Sequence, residues 1–329
     1  DKQKIYLLFT LNIFVFFFFF WYQNFFPPMI KLSPEVINVY FILAQLTVFM
    51  IIFFVILYFR SYTDAYENEL EEKNRIISLK NHEIIDSIIY AKRLQEAIMP
   101  PISEISNQIP ESFILYRPKD IVAGDFYFAE QKGDYFVVAA ADCTGHGVPG
   151  AMVSMVCSNA LNRAVNELNI IQPGEILDKV TELVVSTFKK SNHDVKDGMD
   201  ISLCVINIKT KEVAWSGANN PLWFVSNNEL TEIKATKQPV GKNESYKNFA
   251  THLLNLTAGS IIYLFTDGFA DQFGGPQGKK FKYKQLSDLL LSNNNKPMNE
   301  QCELLDKAFT NWKGNLEQVD DVCVIGLKL

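Results

Sequence analysis

Two nearly unbroken apolar stretches open the chain, residues 5–22 and 36–59, with a short segment between them. A helix needs about 20 apolar residues to cross the hydrocarbon core of a bilayer. The second stretch has that length, with only Asn38, Gln45 and Thr47 as polar guests. The first is shorter and could be the apolar core of a signal peptide, but no small-residue cleavage site follows it. The pattern predicts a transmembrane hairpin over residues 1–59; a buried core helix is the alternative. Lys2 and Lys4 precede the first stretch, Arg60, Lys73 and Arg75 follow the second, and Lys31 alone lies between. Because basic residues stay on the cytoplasmic side, both ends are expected in the cytoplasm. The chain starts at Asp1 and not at Met, which suggests a fragment of a longer protein.

Residues 60–99 are charged, helix-forming and free of Gly and Pro. Leu70, Ile77, Ile84, Ala91 and Ile98 recur at heptad spacing, and calling them d puts Asn74, Asn81, Ile88 and Gln95 at a. Apolar d positions with amides at a predict a parallel coiled coil, and hence a homodimer whose register the amides fix. A single amphipathic helix lying on the following domain is the alternative. Pro100-Pro101 should stop the helix.

Past Pro110 the apolar runs become short and alternate with helical pattern. Residues 135–141 read as a strand ending at Asp142, and residues 201–208 as a second. Residues 261–265 lead into Thr266-Asp267-Gly268, and residues 322–327 follow Asp320-Asp321. Ala123-Gly124-Asp125 opens another strand at 126–128. Taken singly, each Asp reads as a turn or helix-cap residue. As a set, carboxylates at the ends of buried strands suit a hard cation, which makes buried like charge tolerable. The run from Asp142 to Gly147 leads into a helical stretch reaching Val165, with Pro149 in its first turn. Such a Gly-rich turn could cradle an anion, and with His82-Glu83 it superficially matches a sensor histidine kinase. Neither an Asn-rich helix for Mg-ATP nor a second Gly box accompanies it.

Composition narrows the choice. The mean hydropathy of +0.03 averages an apolar N-terminal region and an ordinary polar remainder. A net charge of −6 and the lack of a long basic run argue against nucleic acid as a partner. The 5 cysteines lack metal-ligand spacing, and Cys157, Cys204 and Cys323 sit in apolar runs, which fits a reducing compartment.

Five strings then resemble the SpoIIE/RsbU-type branch of the PPM phosphatases. They are Arg117-Pro-Lys-Asp-Ile-Val-Ala-Gly-Asp-Phe-Tyr127, Ala141-Asp-Cys-Thr-Gly-His-Gly-Val-Pro-Gly-Ala151, Gly217-Ala-Asn-Asn-Pro-Leu222, Phe265-Thr-Asp-Gly-Phe-Ala-Asp-Gln-Phe-Gly-Gly275 and Gln318-Val-Asp-Asp-Val322. The resemblance runs from about residue 113 to the C-terminus. It implies an α+β fold, an α-β-β-α sandwich of two antiparallel sheets flanked by helices, over residues 110–329. It further implies a phosphoric monoester hydrolase that uses two Mn²⁺ or Mg²⁺ ions to dephosphorylate phosphoserine or phosphothreonine.

Carried over by position, Asp142 would bridge both metals and the carbonyl of Cys143 would bind the second. Asp267 and Asp320 would hold the first metal, and Asp125 the second. Asp321 would be a structural neighbour. Arg117 and Lys119 are candidates for phosphate contact, with plain surface charge as the alternative. The chain departs from the pattern at Ala218, where relatives carry His, and at Gly124, where many carry an acid. His146 is offset from the general-acid position and receives no role. The implied partner is a phosphoprotein such as an anti-sigma-factor antagonist. A pseudophosphatase that only binds a partner is the competing reading.

Overall fold

The computed structural model describes residues 10, 14, 17, 18, 21, 22, 25, 33–189 and 197–329. The first apolar stretch therefore lies largely outside the described residues. The chain divides into two compact units, Asp1–Lys80 and Asn81–Leu329.

Helix α1, Pro34–Ile98, is unbroken for 65 residues. Its apolar N-terminal part is, among the described residues, the one helix long and apolar enough to cross a membrane, and none of that stretch is buried in protein. The helix stops just before Pro100-Pro101, as the missing N–H and the ring of proline require. A short helix α2, Ile102–Gln108, follows.

The second unit is built from two five-stranded antiparallel sheets among the described residues. One has the order β1 (Ser112–Arg117), β12 (Val322–Lys328), β9 (Ile261–Phe265), β6 (Leu222–Ser226), β7 (Glu229–Ile233). The other has the order β2 (Phe126–Lys132), β3 (Tyr135–Cys143), β4 (Met199–Asn207), β5 (Val213–Ala218), β8 (His252–Leu254). Side chains alternate across each strand. Phe136, Val138 and Ala140 of β3 join Ile262, Leu264, Cys323 and Ile325 in a core between the sheets. Val137, Ala139 and Ala141 point the other way, onto α3 (Gly147–Asn162) and α4 (Pro173–Phe188). On the far side, Phe113, Leu115, Tyr263 and Phe265 pack under α6 (Tyr283–Asn293) and α7 (Met298–Lys313). A sheet covered on both faces explains why its strands read as unbroken apolar runs rather than alternating ones. The result is the expected α-β-β-α layering.

Three details fix the edge of this sandwich. After α3 comes one π-helical turn, Arg163–Glu167, so the helical run read to Val165 holds. Between β9 and α6 lie a single helical turn α5, Gly268–Asp271, and a small hairpin of β10 (Phe273–Gly274) and β11 (Lys279–Lys280). Finally, Gly124, Gly145 and Gly150 meet backbone to backbone. A Cβ on Gly124 would stand 2.3 Å from the Gly145 carbonyl oxygen, and one on Gly150 would stand 2.1 Å from it. Gly145 itself has φ +85, a left-handed conformation that only glycine adopts at no steric cost.

The end of α1 that belongs to the second unit is tied down by Gln95. Its amide is buried and donates to the Ala123 carbonyl at 2.6 Å and to Ser154 Oγ at 2.9 Å, while its Oε1 accepts from Ala123 N–H at 3.1 Å. The heptad pattern alone had assigned Gln95 to a coiled-coil a layer. In the structure its polar groups are taken up by the second unit.

Candidate active site

Side-chain parity on β3 determines where Asp142 points. Val138 and Ala140 face the inter-sheet core, so Asp142, two residues on, faces the gap between the sheets where they part. Asp200 is paired directly across from it on β4. Asp267 follows β9 and Asp320 precedes β12. All four line one cavity of about 220 Å³, with Cys143, Thr144, Gly145 and His146 along its rim. Asp125 lies behind this cavity, only 2% exposed, and its Oδ2 has no hydrogen-bond partner.

The electrostatics follow from crowding. Burial, then the Asp267, Asp320 and Asp200 carboxylates, push Asp142 up to about 8. Burial, then Asp320, push Asp267 up to about 6. Burial and the neighbouring Asp142 hold Asp125 well above the usual carboxylate range. Burial also raises Asp200, against a hydrogen bond from Asn219 Nδ2 at 2.8 Å. Mutual like charge in a partly dehydrated site is unfavourable unless a cation or a proton offsets it. Among the described residues, no three such side chains already stand at ligating separation. An all-oxygen donor set, an unpartnered buried carboxylate oxygen and mutually repelling neighbours nevertheless fit a hard divalent cation.

Several sequence candidates fall elsewhere. Asp321 is buried and accepts from the backbone N–H of Lys119 at 2.7 Å and of Gly124 at 2.7 Å. It anchors the strand entry that carries Asp125. Arg117 does not line the acidic cavity. Its guanidinium binds Asp306 at 3.0 Å and Thr310 at 2.8 Å on α7 and lies over the Phe309 ring. Lys119 does not line the cavity either. His146 Nδ1 lies 3.0 Å from Asp120 at the mouth.

Asp200 is the residue that sequence reading missed. The signal was present, since it is an acid at the start of an apolar strand, like the others. Its holder Asn219 sits in the string Gly217 to Leu222, with φ +54.

Two facing antiparallel sheets, outer helices and an acidic cavity where the sheets part define a PPM-type, or PP2C-type, serine/threonine phosphatase domain. The chain is similar to the SiaA-PP2C domain of Pseudomonas aeruginosa, with a TM-score of 0.70 and 29% identity, covering 76% of this chain and 98% of that one. The chain belongs to the SpoIIE family, whose model, described as Stage II sporulation protein E, matches residues 132–329. It is 24% identical over 161 residues to the protein described as phosphoserine phosphatase RsbU of Bacillus subtilis (strain 168), covering 47% of this chain. The match spans only 44% of that relative's length. The PP2C phosphatase domain of SpoIIE from Bacillus subtilis, solved with a fragment of its regulatory domain, shares the fold, with a TM-score of 0.54 at 15% identity, over 67% of this chain and 63% of that one.

Proposed function

We propose that the chain is a membrane-anchored, metal-dependent protein phosphatase that removes phosphate from serine or threonine on a regulatory protein. The observation that carries this reading is the set Asp142, Asp200, Asp267 and Asp320 around one cavity, with the buried Asp125 close to Asp142 and its Oδ2 without a hydrogen-bond partner. Asp142 would bridge two Mn²⁺ or Mg²⁺ ions, with Asp267 and Asp320 holding one and Asp125 and the Cys143 carbonyl the other. Asp200 adds a fifth carboxylate. When bound, such ions supply Lewis acidity toward water and offset charge on the phosphoryl oxygens.

The chain's own groups do the rest. The paired Asp142 and Asp200 are carried on adjacent strands of a fully buried sheet, which fixes their separation. Asp321 holds the Gly124–Asp125 backbone in place through its accepted N–H bonds. No Ser or Cys nucleophile is required, so no phospho-enzyme forms. Cys143 is buried, and burial holds its thiol far above the range in which a thiolate could act.

Residues 1–59 would form the membrane hairpin, 60–99 a dimeric coiled-coil linker and 110–329 the phosphatase domain. The apolar part of α1 supports the second span. Leu70, Ile77 and Ile84 are 48%, 57% and 56% exposed and offer a face for a second copy. By the resemblance of its motifs to the SpoIIE/RsbU-type phosphatases, the substrate would be an anti-sigma-factor antagonist. The test is hydrolysis of p-nitrophenyl phosphate by the full chain with and without Mn²⁺. Turnover that chelator leaves unchanged would overturn the reading, and metal binding without turnover would favour a pseudophosphatase.

A further inference from the structure

The hairpin of β10 and β11 carries positive charge that the phosphatase chemistry does not use. Lys279, Lys280, Lys282 and Lys284 are all exposed within six residues of sequence, in a chain of net charge −6. With Gln277, Gln285 and Trp312, three of them line a hollow of about 320 Å³. Among the described residues only Lys280 of the four has a carboxylate partner, Asp271 at 2.7 Å.

This lip is firmly mounted. Gly275 N–H donates to the Trp312 carbonyl at 2.7 Å, and Trp312 Nε1 donates to the Gln272 carbonyl at 3.1 Å. Phe281 N–H and Lys282 N–H donate to the carbonyls of Gln272 and Ala270 at 2.9 and 2.7 Å. Lys282 is held at φ +72 and ψ 148, a positive-φ conformation that favours Gly over a long side chain. Strain of this kind persists where the surroundings over-determine it, often at functional positions.

Its place relative to the cavity gives it meaning. Asp267 lines the cavity, and one helical turn later Asp271 N–H donates to the Asp267 carbonyl at 2.9 Å. Asp271 in turn holds Lys280. One turn advances about 5.4 Å along the helix axis, so the lip begins a single turn from the acidic cavity. Tyr283, at the start of α6, packs its ring 6.1 Å from Phe265, two residues before Asp267.

We infer that this lysine lip docks acidic side chains that flank the phosphorylated residue of the protein substrate. The inference rests on the phosphatase reading. Complementary charge at the rim of a site steers the encounter and sets specificity, and a lip this close to the cavity can act only on residues near the phosphate in sequence. An acidic cavity would itself repel an acidic protein, and the lip offsets that repulsion. An anionic lipid surface would also attract four lysines, but it has no reason to lie one helical turn from Asp267.

The experiment uses the full chain in detergent micelles and two fluorescent phosphoserine peptides of equal length, one flanked by Asp and Glu, the other by Ser and Gly. Binding is read by anisotropy in the Asp142→Asn background, with Mn²⁺, so that turnover is not needed. Tighter binding of the acidic peptide by about 10-fold, shrinking as salt rises, is expected. The triple variant Lys279→Gln, Lys282→Asn, Lys284→Gln should lose that preference while p-nitrophenyl phosphate turnover in the Asp142 chain stays unchanged. Equal binding of both peptides, or a preference that the triple variant keeps, overturns the inference. So does a variant effect seen only on binding to phosphatidylserine vesicles. A preference for the acidic peptide that the triple variant abolishes, together with no ester hydrolysis by the chain with Asp142 intact, would keep the lip and sink the phosphatase reading instead.

Discussion

Gln95 and Ala123 hold each other through a reciprocal pair of hydrogen bonds, amide to carbonyl at 2.6 Å and N–H to amide oxygen at 3.1 Å. The pair joins the last turn of α1 to a strand entry two residues before Asp125. Gln95→Leu keeps the volume but leaves both backbone groups of Ala123 unpaired in a buried place. A cost of about 2–6 kcal/mol is expected, since each unsatisfied buried group costs about 1–3 kcal/mol. Thermal unfolding of the full chain measures it, and Mn²⁺ titration should show weaker binding through displaced Asp125. Unchanged metal affinity would make the clamp purely structural.

Removing one carboxylate from the cavity should separate stability from activity. Asp142→Asn and Asp267→Asn are expected to lower turnover by roughly a hundredfold or more. Above about pH 8, where both groups are ionised, the same substitutions should raise the melting temperature of the metal-free chain, because they relieve like-charge repulsion. A metal-free variant less stable than the parent would contradict the crowding argument.

The pH dependence has a definite sign. Asp142 and Asp267 have folded-state values raised to about 8 and about 6, above those of the unfolded chain. The folded state therefore binds protons more tightly than the unfolded one, and metal-free stability falls as pH rises through about 6 to 8. Saturating Mn²⁺ should flatten that fall. Calorimetry in chelator from pH 5 to 9, repeated with metal, reads both effects. Stability that rises with pH in chelator would refute the assignment.

Gly124→Ala tests the backbone contact beneath the site. Its Cβ would stand 2.3 Å from the Gly145 carbonyl oxygen. Overpacking of this kind costs about 1–3 kcal/mol, and the rim residues Cys143 to His146 should shift with it. Denaturant midpoints give the cost. A neutral substitution would mean that the turn yields freely.

The linker makes a prediction about assembly. Ile77→Asp with Ile84→Asp should convert a dimer of the full chain to monomer in analytical ultracentrifugation and change turnover, with every cavity carboxylate intact. Asn74→Ile with Asn81→Ile should tighten association or change its order, because buried amides hold register at a cost in stability. Monomer at tens of micromolar for the parent chain, with equal activity in all variants, would leave the segment a passive spacer.

The sequence showed much of this because buried sheets write themselves as apolar runs. The strands around residues 135–141, 201–208, 261–265 and 322–327 were legible on that basis, and so were the acids at their ends. Strands β1, β5, β6, β7 and β8 were not read individually: they are short, and edge strands such as β7 alternate with exposed polar residues. Asp200 carried the same local mark, an acid at the start of an apolar strand, but only its cross-strand pairing with Asp142, a long-range fact, places it in the cavity. Gln95 fitted a heptad and was read by that period, yet its neighbours in space, Ala123 and Ser154, are distant in sequence. Arg117 looked available for phosphate because nothing nearby in sequence reveals Asp306.

The meeting of Gly124, Gly145 and Gly150 also bears on how such a site can evolve. Strand entry, turn and helix start touch through main chain alone: a side chain at Gly124 would press on the turn, one at Gly150 on both the turn and the strand entry, and one at Gly145 would have to adopt a left-handed backbone. Drift by single steps is blocked there, and only concerted replacement of several positions opens a path. A lineage with an acid at the position of Gly124 must thread its turn differently. The three segments thus behave as one heritable block, and a new ligand set at this edge requires a remodelled backbone before it requires a new side chain.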